Sequence, residues 1–232
     1  MSLEERRKVL VVAAHPDDEV LGVGGVMAKH AQKGDEVFSL IIGDGITSRY
    51  EESELNKDSI RKQVEAIKEH CLAAGKILGV KNTTVLGNYC CRFDQRPILD
   101  ITKAIEKEIA CVKPDIVYTH NCFDVNNDHG IVFKAVLTAT RPSPGFCVKK
   151  VLTFEVLSST EWGFHAEFRP NVYEDISPTI HKKIEAMKAY ESEVREFPHA
   201  RSLEAIKILA QKRGAEVGLN YAECFKLIRD VR

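Results

Sequence analysis

The chain alternates short apolar runs with stretches of helical periodicity. In these stretches apolar residues recur every three or four positions, as between Ile60 and Leu78, where Gly79 ends the pattern. A further helix is predicted over residues 131–139, before Pro142. The apolar runs, which predict buried strands, occupy residues 8–14, 36–42, 83–86, 115–119 and 148–156. Strands that alternate with helices are typical of a mostly parallel sheet flanked by helices.

The pattern changes after about residue 157. Residues 171–176 predict a short strand, and Ser177-Pro178 predicts the start of a helix with proline in its first turn. Ser202 is suited to cap a later helix, because its hydroxyl can accept a backbone hydrogen bond. The helix that follows the proline carries charged residues that we expect to be solvated: Lys182, Lys183, Glu185 and Lys188.

The whole pattern predicts one domain over residues 1–232. We expect an α/β, Rossmann-like core over about residues 8–157, with five or more mostly parallel strands. An α+β extension would occupy about residues 158–232. No internal repeat, low-complexity segment or strong boundary divides the chain further.

Charge and composition exclude several classes of function. With 33 Lys and Arg against 34 Asp and Glu, the net charge is −1, so we expect no nucleic-acid partner. The charged start has no apolar segment typical of a signal peptide, and no apolar run approaches the ~20 residues of a membrane span. We therefore expect a soluble, cytoplasmic protein without membrane insertion. The seven cysteines include no Cys-x-x-Cys pair, which argues against a disulfide framework or a thiolate zinc site.

The most informative polar segment directly follows the first predicted strand. It reads His15-Pro16-Asp17-Asp18-Glu19, so the strand leads into a histidine and three carboxylates. Acidic groups this close repel one another unless a proton or cation offsets their charge. A divalent metal is the simplest such cation, and histidine with aspartate is a typical zinc pair. Alternatively, Asp17 or Asp18 simply caps the following helix, but that leaves His15 unexplained.

A second polar segment, residues 120–129, follows the fourth predicted strand. In an open sheet of two βαβ halves, the first strands of the halves are neighbours, and ligands bind at their carboxyl ends. In that arrangement His15, Asp18 and His129 can converge on one metal and leave a fourth position for water, as in catalytic zinc sites. Asp128 would then orient the imidazole ring of a ligand histidine without itself binding the metal.

These segments and several others carry a family resemblance along most of the chain. They are residues 14–19 with Gly24-Gly25, Arg61 and Glu65 ahead of Leu78-Gly79, and residues 113–120, 124–129, 141–142, 158–162, 197–202 and 221–223. On these residues the chain resembles the LmbE-like/PIG-L family of zinc-dependent N-acetyl-sugar deacetylases. Both polar segments match in the right order, which is far more specific than a single motif.

The resemblance implies roles for the residues of both segments. His15, Asp18 and His129 would bind one zinc ion per chain, although another divalent metal could occupy the same site. Asp17 would be the general base, taking a proton from the attacking water. Two further carboxylates are expected to support the ligands without binding the metal: Glu19 and Asp128.

Substrate contacts are expected mainly from the resemblance. Arginines suit phosphate or carboxylate groups, because a guanidinium binds two oxygens at once. His120 ends a strand, so it could lie either behind the metal ligands or in the pocket. The full set expected at the substrate is Arg49, Asp94, His120, Asp124, Arg141, Trp162 and Arg201.

One position departs from the family pattern. Many relatives have histidine where this chain has Asn126, and that histidine stabilises the oxyanion or protonates the leaving amine. Asparagine can donate a hydrogen bond but cannot give up a proton near neutral pH. We therefore expect Asn126 to act only as a hydrogen-bond donor, and the acid to be Asp17 or His199.

The expected function is hydrolysis of the N-acetyl group of an amino sugar in a glycan precursor, glycoconjugate or nucleotide sugar. The partner would be this small N-acetylated molecule, and the resemblance leaves a homo-oligomer open. Two alternatives remain: another metal-dependent amide hydrolase, and a sugar-binding protein that has lost turnover. Asn126 and Gly130 favour the binding protein, whereas the intact Asp17 argues against it.

Overall fold

The computed structural model describes residues 6–164 and 166–232. Its strands form a single sheet in the order β3-β2-β1-β4-β5-β7-β6. Strands β1 to β5 are parallel, and β7 runs antiparallel to both β5 and β6. Their bounds are β1 Lys8–Ala13, β2 Glu36–Gly43, β3 Asn82–Asn88, β4 Ile116–His120, β5 Lys150–Phe154, β6 Val172–Asp175 and β7 Ala222–Asp230. The predicted mostly parallel α/β sheet is confirmed.

Helices cover both faces of this sheet. Successive β1 residues pack on opposite faces: Val9 and Val11 on one, Leu10 and Val12 on the other. This two-sided burial explains why β1 is apolar at consecutive positions instead of alternating. Helices α1, α2, α5 and α6 cover the first face, and α3 and α4 cover the second. Their bounds are α1 Asp18–Gln32, α2 Asp58–Leu78, α3 Ile98–Val112, α4 Asn127–Ala139, α5 Ile180–Ala189 and α6 Leu203–Ala215. None of the helices in the described residues has the length and apolar character needed to cross a bilayer.

The C-terminal third joins the same sheet instead of forming a layer of its own. Strand β7 pairs with β5, and β6 forms the edge beyond it. In α5, Lys183 is 4% exposed, and its Nζ lies 2.5 Å from Glu223 Oε1. Glu223 also accepts hydrogen bonds from the backbone N–H groups of Gly25 and Val26 in α1. The expectation of a solvated Lys183 is therefore wrong, because this ion pair ties α5 and β7 to the middle of α1.

The cap of α4 also differs from the expectation. This helix begins at Asn127, four residues before the predicted start at residue 131. Asn126 is its N-cap, with a side-chain oxygen that accepts from the backbone N–H of Asp128 at 3.0 Å. At α6, Ser202 caps the helix as predicted, accepting from the N–H of Ala205 at 3.0 Å.

The neighbouring strands β1 and β4 position the site. They pair in parallel with Val9 opposite Ile116 and Val11 opposite Tyr118. Both strands therefore end at the same edge of the sheet, at the switch point between the two halves. The expectation that their polar segments meet is confirmed.

Candidate metal centre and catalytic cavity

Three side-chain atoms converge at the carboxyl ends of β1 and β4. Asp18 Oδ2 lies 3.2 Å from His15 Nδ1 and 3.2 Å from His129 Nε2, and the two nitrogens are 3.3 Å apart. A tetrahedral metal with bonds of ~2.0–2.1 Å requires ligand atoms roughly 3.3–3.4 Å apart. The three atoms therefore have the spacing of one face of a metal coordination tetrahedron.

A carboxylate lies behind each of the two histidines. His15 Nε2 lies 3.0 Å from Asp128 Oδ2, and His129 Nδ1 lies 3.1 Å from Asp124 Oδ2. A neutral imidazole that gives its outer N–H to a carboxylate presents its inner lone pair to a metal. Two lone pairs and the Asp18 oxygen then face one point, an arrangement that suits a metal cation. The donor set fits a divalent metal.

The pKa values of His129 and Asp18 reflect the opposite charges that face each other here. Burial lowers the pKa of His129, but the Asp18 and Asp124 carboxylates outweigh it and raise this pKa to about 9. Burial opposes ionisation of Asp18, yet the facing His129 holds its pKa well below the usual value. Positive charge at this point, from a proton or from a metal, offsets the charge of the buried carboxylates.

Both supporting carboxylates are themselves anchored. Asp128 accepts from the backbone N–H groups of Cys91 at 2.6 Å and Phe93 at 3.2 Å. Asp124 accepts from Thr160 Oγ1 at 2.7 Å and from the hydroxyl of Ser159. Asp128 lies where the sequence suggested, whereas Asp124 was expected at the substrate. The structure instead places Asp124 behind His129, outside the cavity lining.

His120 lies behind the candidate ligands and does not line the cavity. Its Nε2 accepts a hydrogen bond from the backbone N–H of Ala14 at 2.7 Å, so that lone pair is occupied. Its ring stacks on His129, with 3.9 Å between the ring centroids. The sequence left two positions open for His120, and in the structure it lies behind the ligands.

Asp17 occupies a strained position beside the metal group. Its backbone has φ 95° directly before α1, and its side chain makes no capping hydrogen bond. A non-glycine residue in this conformation costs on the order of 1–3 kcal/mol, so surrounding contacts must hold it. Burial raises the pKa of Asp17 well above its usual value, and nearby Arg201 opposes that rise. The alternative of a simple N-cap does not describe this carboxylate.

Glu19 holds the backbone of Asp17. One carboxylate oxygen accepts from the Asp17 N–H at 3.1 Å, and the other accepts from the hydroxyl of Tyr190. Burial raises the pKa of Glu19 to about 7. Glu19 therefore holds Asp17 and not a metal ligand, and neither this contact nor Tyr190 was foreseen from the sequence.

A cavity of about 400 Å³ opens over these groups. Its base includes His15, Asp17, Asp18 and His129, and its walls contain three of the residues expected at the substrate. Those three are Arg49, Trp162 and Arg201, and Asn126 also lines the cavity. The remaining polar and apolar lining comes mainly from Ser48, Cys90, Cys91, Val125, Asn127, Ser158, Ser159 and Glu193.

Glu193 is the cavity residue that sequence reasoning missed. It is 3% exposed and lies between two guanidinium groups. Its Oε1 accepts from Arg49 Nη2 at 2.5 Å, and its Oε2 accepts from Arg201 Nη1 at 2.9 Å. The same Arg201 nitrogen lies 3.2 Å from Asp17 Oδ2. No local pattern marks Glu193, because Arg49 is 144 positions away in the sequence.

Three other expected residues lie outside this cavity. Arg141 lines a separate groove between α3 and α4, where it lies 4.0 Å from Glu106. Asp94 belongs to the short turn Phe93–Gln95. His199 is exposed, and its Nδ1 accepts from the backbone N–H of Arg201 at 3.0 Å. These positions do not support the expected contact with substrate, because each of the three side chains lies near another protein group or in solvent.

Comparison with known proteins settles the family. The family model described as PIG-L, GlcNAc-PI de-N-acetylase, matches residues 10–140, which is more than half of the chain. The chain belongs to the PIG-L family. The family predicted from the sequence is therefore confirmed, and both halves of the candidate metal group lie within the matched residues.

Relatives of this PIG-L family member include a deacetylase and a hydratase. The chain is 30% identical over 203 residues to an uncharacterized deacetylase, YaiS, of Escherichia coli, with 82% of this chain and 94% of the relative covered. It is 26% identical over 197 residues to 4-oxalmesaconate hydratase of Pseudomonas putida, with 79% and 72% covered. The deacetylase relatives and the family description confirm the expected enzyme class, a hydrolase that acts on amides.

A solved structure shares the fold. N,N′-Diacetylchitobiose deacetylase from Pyrococcus horikoshii superposes with a TM-score of 0.75 at 20% sequence identity. The match covers 97% of this chain and 85% of that chain. The predicted fold class is confirmed over nearly the whole chain, including the C-terminal part that joins the sheet.

Proposed function

We propose that this protein hydrolyses the N-acetyl group of an amino sugar, with a zinc ion bound by His15, Asp18 and His129. The observation that carries the proposal is the convergence of these three ligand atoms beside the buried carboxylate of Asp17. A site with three protein ligands leaves one position for water or substrate, as catalytic zinc sites do. The family description, which names a sugar de-N-acetylase, supports the same reaction.

Both proton transfers of the reaction can be assigned to one residue of the chain. Bound zinc supplies Lewis acidity, which activates water and polarises the acyl carbonyl. Asp17, which lines the cavity beside the three ligand atoms, takes a proton from the attacking water and gives it to the leaving amine. We assign both the base and the acid role to Asp17, because His199 lies outside the cavity.

Asn126 contributes a hydrogen bond and no proton. Its side-chain oxygen is engaged with the backbone N–H of Asp128 as the cap of α4. The amide NH₂ group of this cavity-lining residue can donate to an oxygen of the substrate or to the developing oxyanion. This assignment agrees with the departure from histidine seen in the sequence.

Acetate release tests the proposal against its competitors. We expect the zinc-loaded protein to release acetate and primary amine in equal amounts from at least one N-acetylated sugar, and Asp17→Asn to abolish both. Equal release would exclude a sugar-binding protein without turnover, and a hydratase would form neither product. A zinc-loaded, folded protein that releases no acetate from N-acetylated monosaccharides, disaccharides or nucleotide sugars would contradict the proposed function.

A further inference from the structure

The charges on the cavity walls limit which sugars can bind. Among the described residues that line the cavity, the only lysine or arginine side chains are Arg49 and Arg201. Both donate hydrogen bonds to Glu193, each to a different carboxylate oxygen. Asp17 also lies 3.2 Å from Arg201 Nη1, so two carboxylates, Glu193 and Asp17, face the two cations of the cavity.

Two of the three guanidinium nitrogens of Arg201 are engaged within the protein. Its Nε donates to Ser158 Oγ at 3.0 Å, while its Nη1 faces both Glu193 and Asp17. Recognition of a phosphate or carboxylate by arginine requires guanidinium N–H groups that point at the anion and a charge that is not already paired.

The rest of the wall suits an uncharged sugar ring. Trp162 and Val125 line the cavity and are 57% and 55% exposed, so they offer apolar surface to the CH face of a pyranose. Ser48, Asn126 and Asn127 offer neutral hydrogen-bonding groups for its hydroxyls. Apolar surface with a few neutral polar groups is the composition expected for a carbohydrate without charged substituents.

We infer that this site selects uncharged N-acetylated amino sugars over phosphorylated or carboxylated ones, and that Glu193 determines this selectivity by pairing with both Arg49 and Arg201. The inference rests on the proposed function and names its substrate class. Glu193 is a specificity-determining residue that acts through the two arginines and takes no part in the proton transfers.

The test compares two substrates that differ by one phosphate. For the zinc-loaded protein, kcat/KM is measured with N-acetylglucosamine and with N-acetylglucosamine 6-phosphate. We expect the uncharged sugar to be preferred by about tenfold or more, because a charged group left without a partner in the cavity loses about this factor. A preference for the phosphorylated sugar would overturn the inference.

The variant Glu193→Gln tests the role assigned to the carboxylate. It frees positive charge on both arginines, so we expect the preference to fall about tenfold or to reverse, mainly through a lower KM for the phosphorylated sugar. If the substitution also lowers kcat through the contact between Arg201 and Asp17, it does so for both substrates. That effect therefore cancels in the ratio of their kcat/KM values. Glu191→Gln, which removes an exposed carboxylate from the same loop, should leave the ratio unchanged. Equal effects of Glu193→Gln on both substrates would overturn the role of Glu193.

A binding measurement keeps the test decisive if Glu193→Gln does not fold. Calorimetry with the zinc-loaded wild-type protein should show that glucosamine 6-phosphate binds no more tightly than glucosamine, and tighter binding would overturn the inference. Selective binding of the uncharged sugars without acetate release would contradict the proposed deacetylation but support the selectivity. Neither binding nor hydrolysis of any of these monosaccharides would overturn the inference, and acetate release from the wider set of sugars would then decide the proposed function.

Discussion

Asp128 and His15 are 113 positions apart in the sequence, yet Oδ2 of Asp128 lies 3.0 Å from Nε2 of His15. This contact joins the polar segment after β4 to the polar segment after β1. Because Asp128 is also held by two backbone N–H groups, it fixes the orientation of the His15 ring from a rigid support. Asp124 makes the corresponding contact with His129.

These contacts predict the effect of removing either supporting charge. We expect Asp128→Asn and Asp124→Asn each to weaken zinc affinity by about 10–100-fold, the usual scale for partners behind metal-bound histidines. Competition with a fluorescent chelator measures that affinity. The exposed Asp94, changed to Asn, is the matched control, and unchanged zinc affinity in both test variants would contradict the assignment.

The histidines predict the effect of losing a ligand. We expect His15→Ala and His129→Ala to lose tightly bound zinc and all acetate release, because two remaining ligands cannot hold the metal firmly. Metal content per chain, measured by mass spectrometry, checks this. His181→Ala, at an exposed position of α5, should retain one zinc. A full equivalent of zinc in both test variants would rule out this ligand set.

The different positions of Asp17 and Asp18 predict that their substitutions cause different defects, one in turnover and the other in zinc binding. Asp17→Asn should keep its zinc but lose kcat by ~10²-fold or more, as expected when a general base is removed. Asp18→Asn should instead weaken zinc binding, because its oxygen lies 3.2 Å from both ligand nitrogens. Zinc content and kcat, measured on both variants, separate the roles. The opposite outcome would mean that the two roles are exchanged.

The position of His199 predicts that it is dispensable. Because this side chain is exposed and does not line the cavity, His199→Ala should keep kcat within about twofold of the wild type. The pH dependence of kcat should also stay the same. A fall in kcat of ~10²-fold with zinc still bound would restore His199 as the acid that protonates the leaving amine.

The buried ion pair predicts a large effect on stability. Lys183→Met leaves the Glu223 carboxylate buried without its ammonium partner, so we expect a loss of roughly 3–5 kcal/mol in the free energy of unfolding. Urea denaturation followed by circular dichroism measures it. Lys188→Met, at an exposed position on the same helix, should change stability by no more than about 0.5 kcal/mol. Equal stability of the two variants would show that the pair contributes little.

The sequence by itself determined the features that depend on near neighbours. The apolar runs of β1 and β4 are buried on both faces, so their composition alone marked them as inner strands. His15 and Asp18 are three positions apart at a strand–helix junction, which placed them together before any long-range contact was known. The cap at Ser202 is likewise a local property, because donor and acceptor are three residues apart.

Only the tertiary structure decided which partner each charged side chain has. Asp124 faces His129 and not the substrate, Lys183 pairs with Glu223 inside the protein, and Glu193 meets Arg49 from across the fold. In sequence Lys183 and Glu193 look like ordinary solvated charges, and Asp124 was expected at the substrate, because hydrophobic periodicity and capping signals carry no distances between remote segments. Loop paths and helix packing set those distances. Because a buried charge without a partner costs free energy, each buried charged group then needs a partner within hydrogen-bonding range.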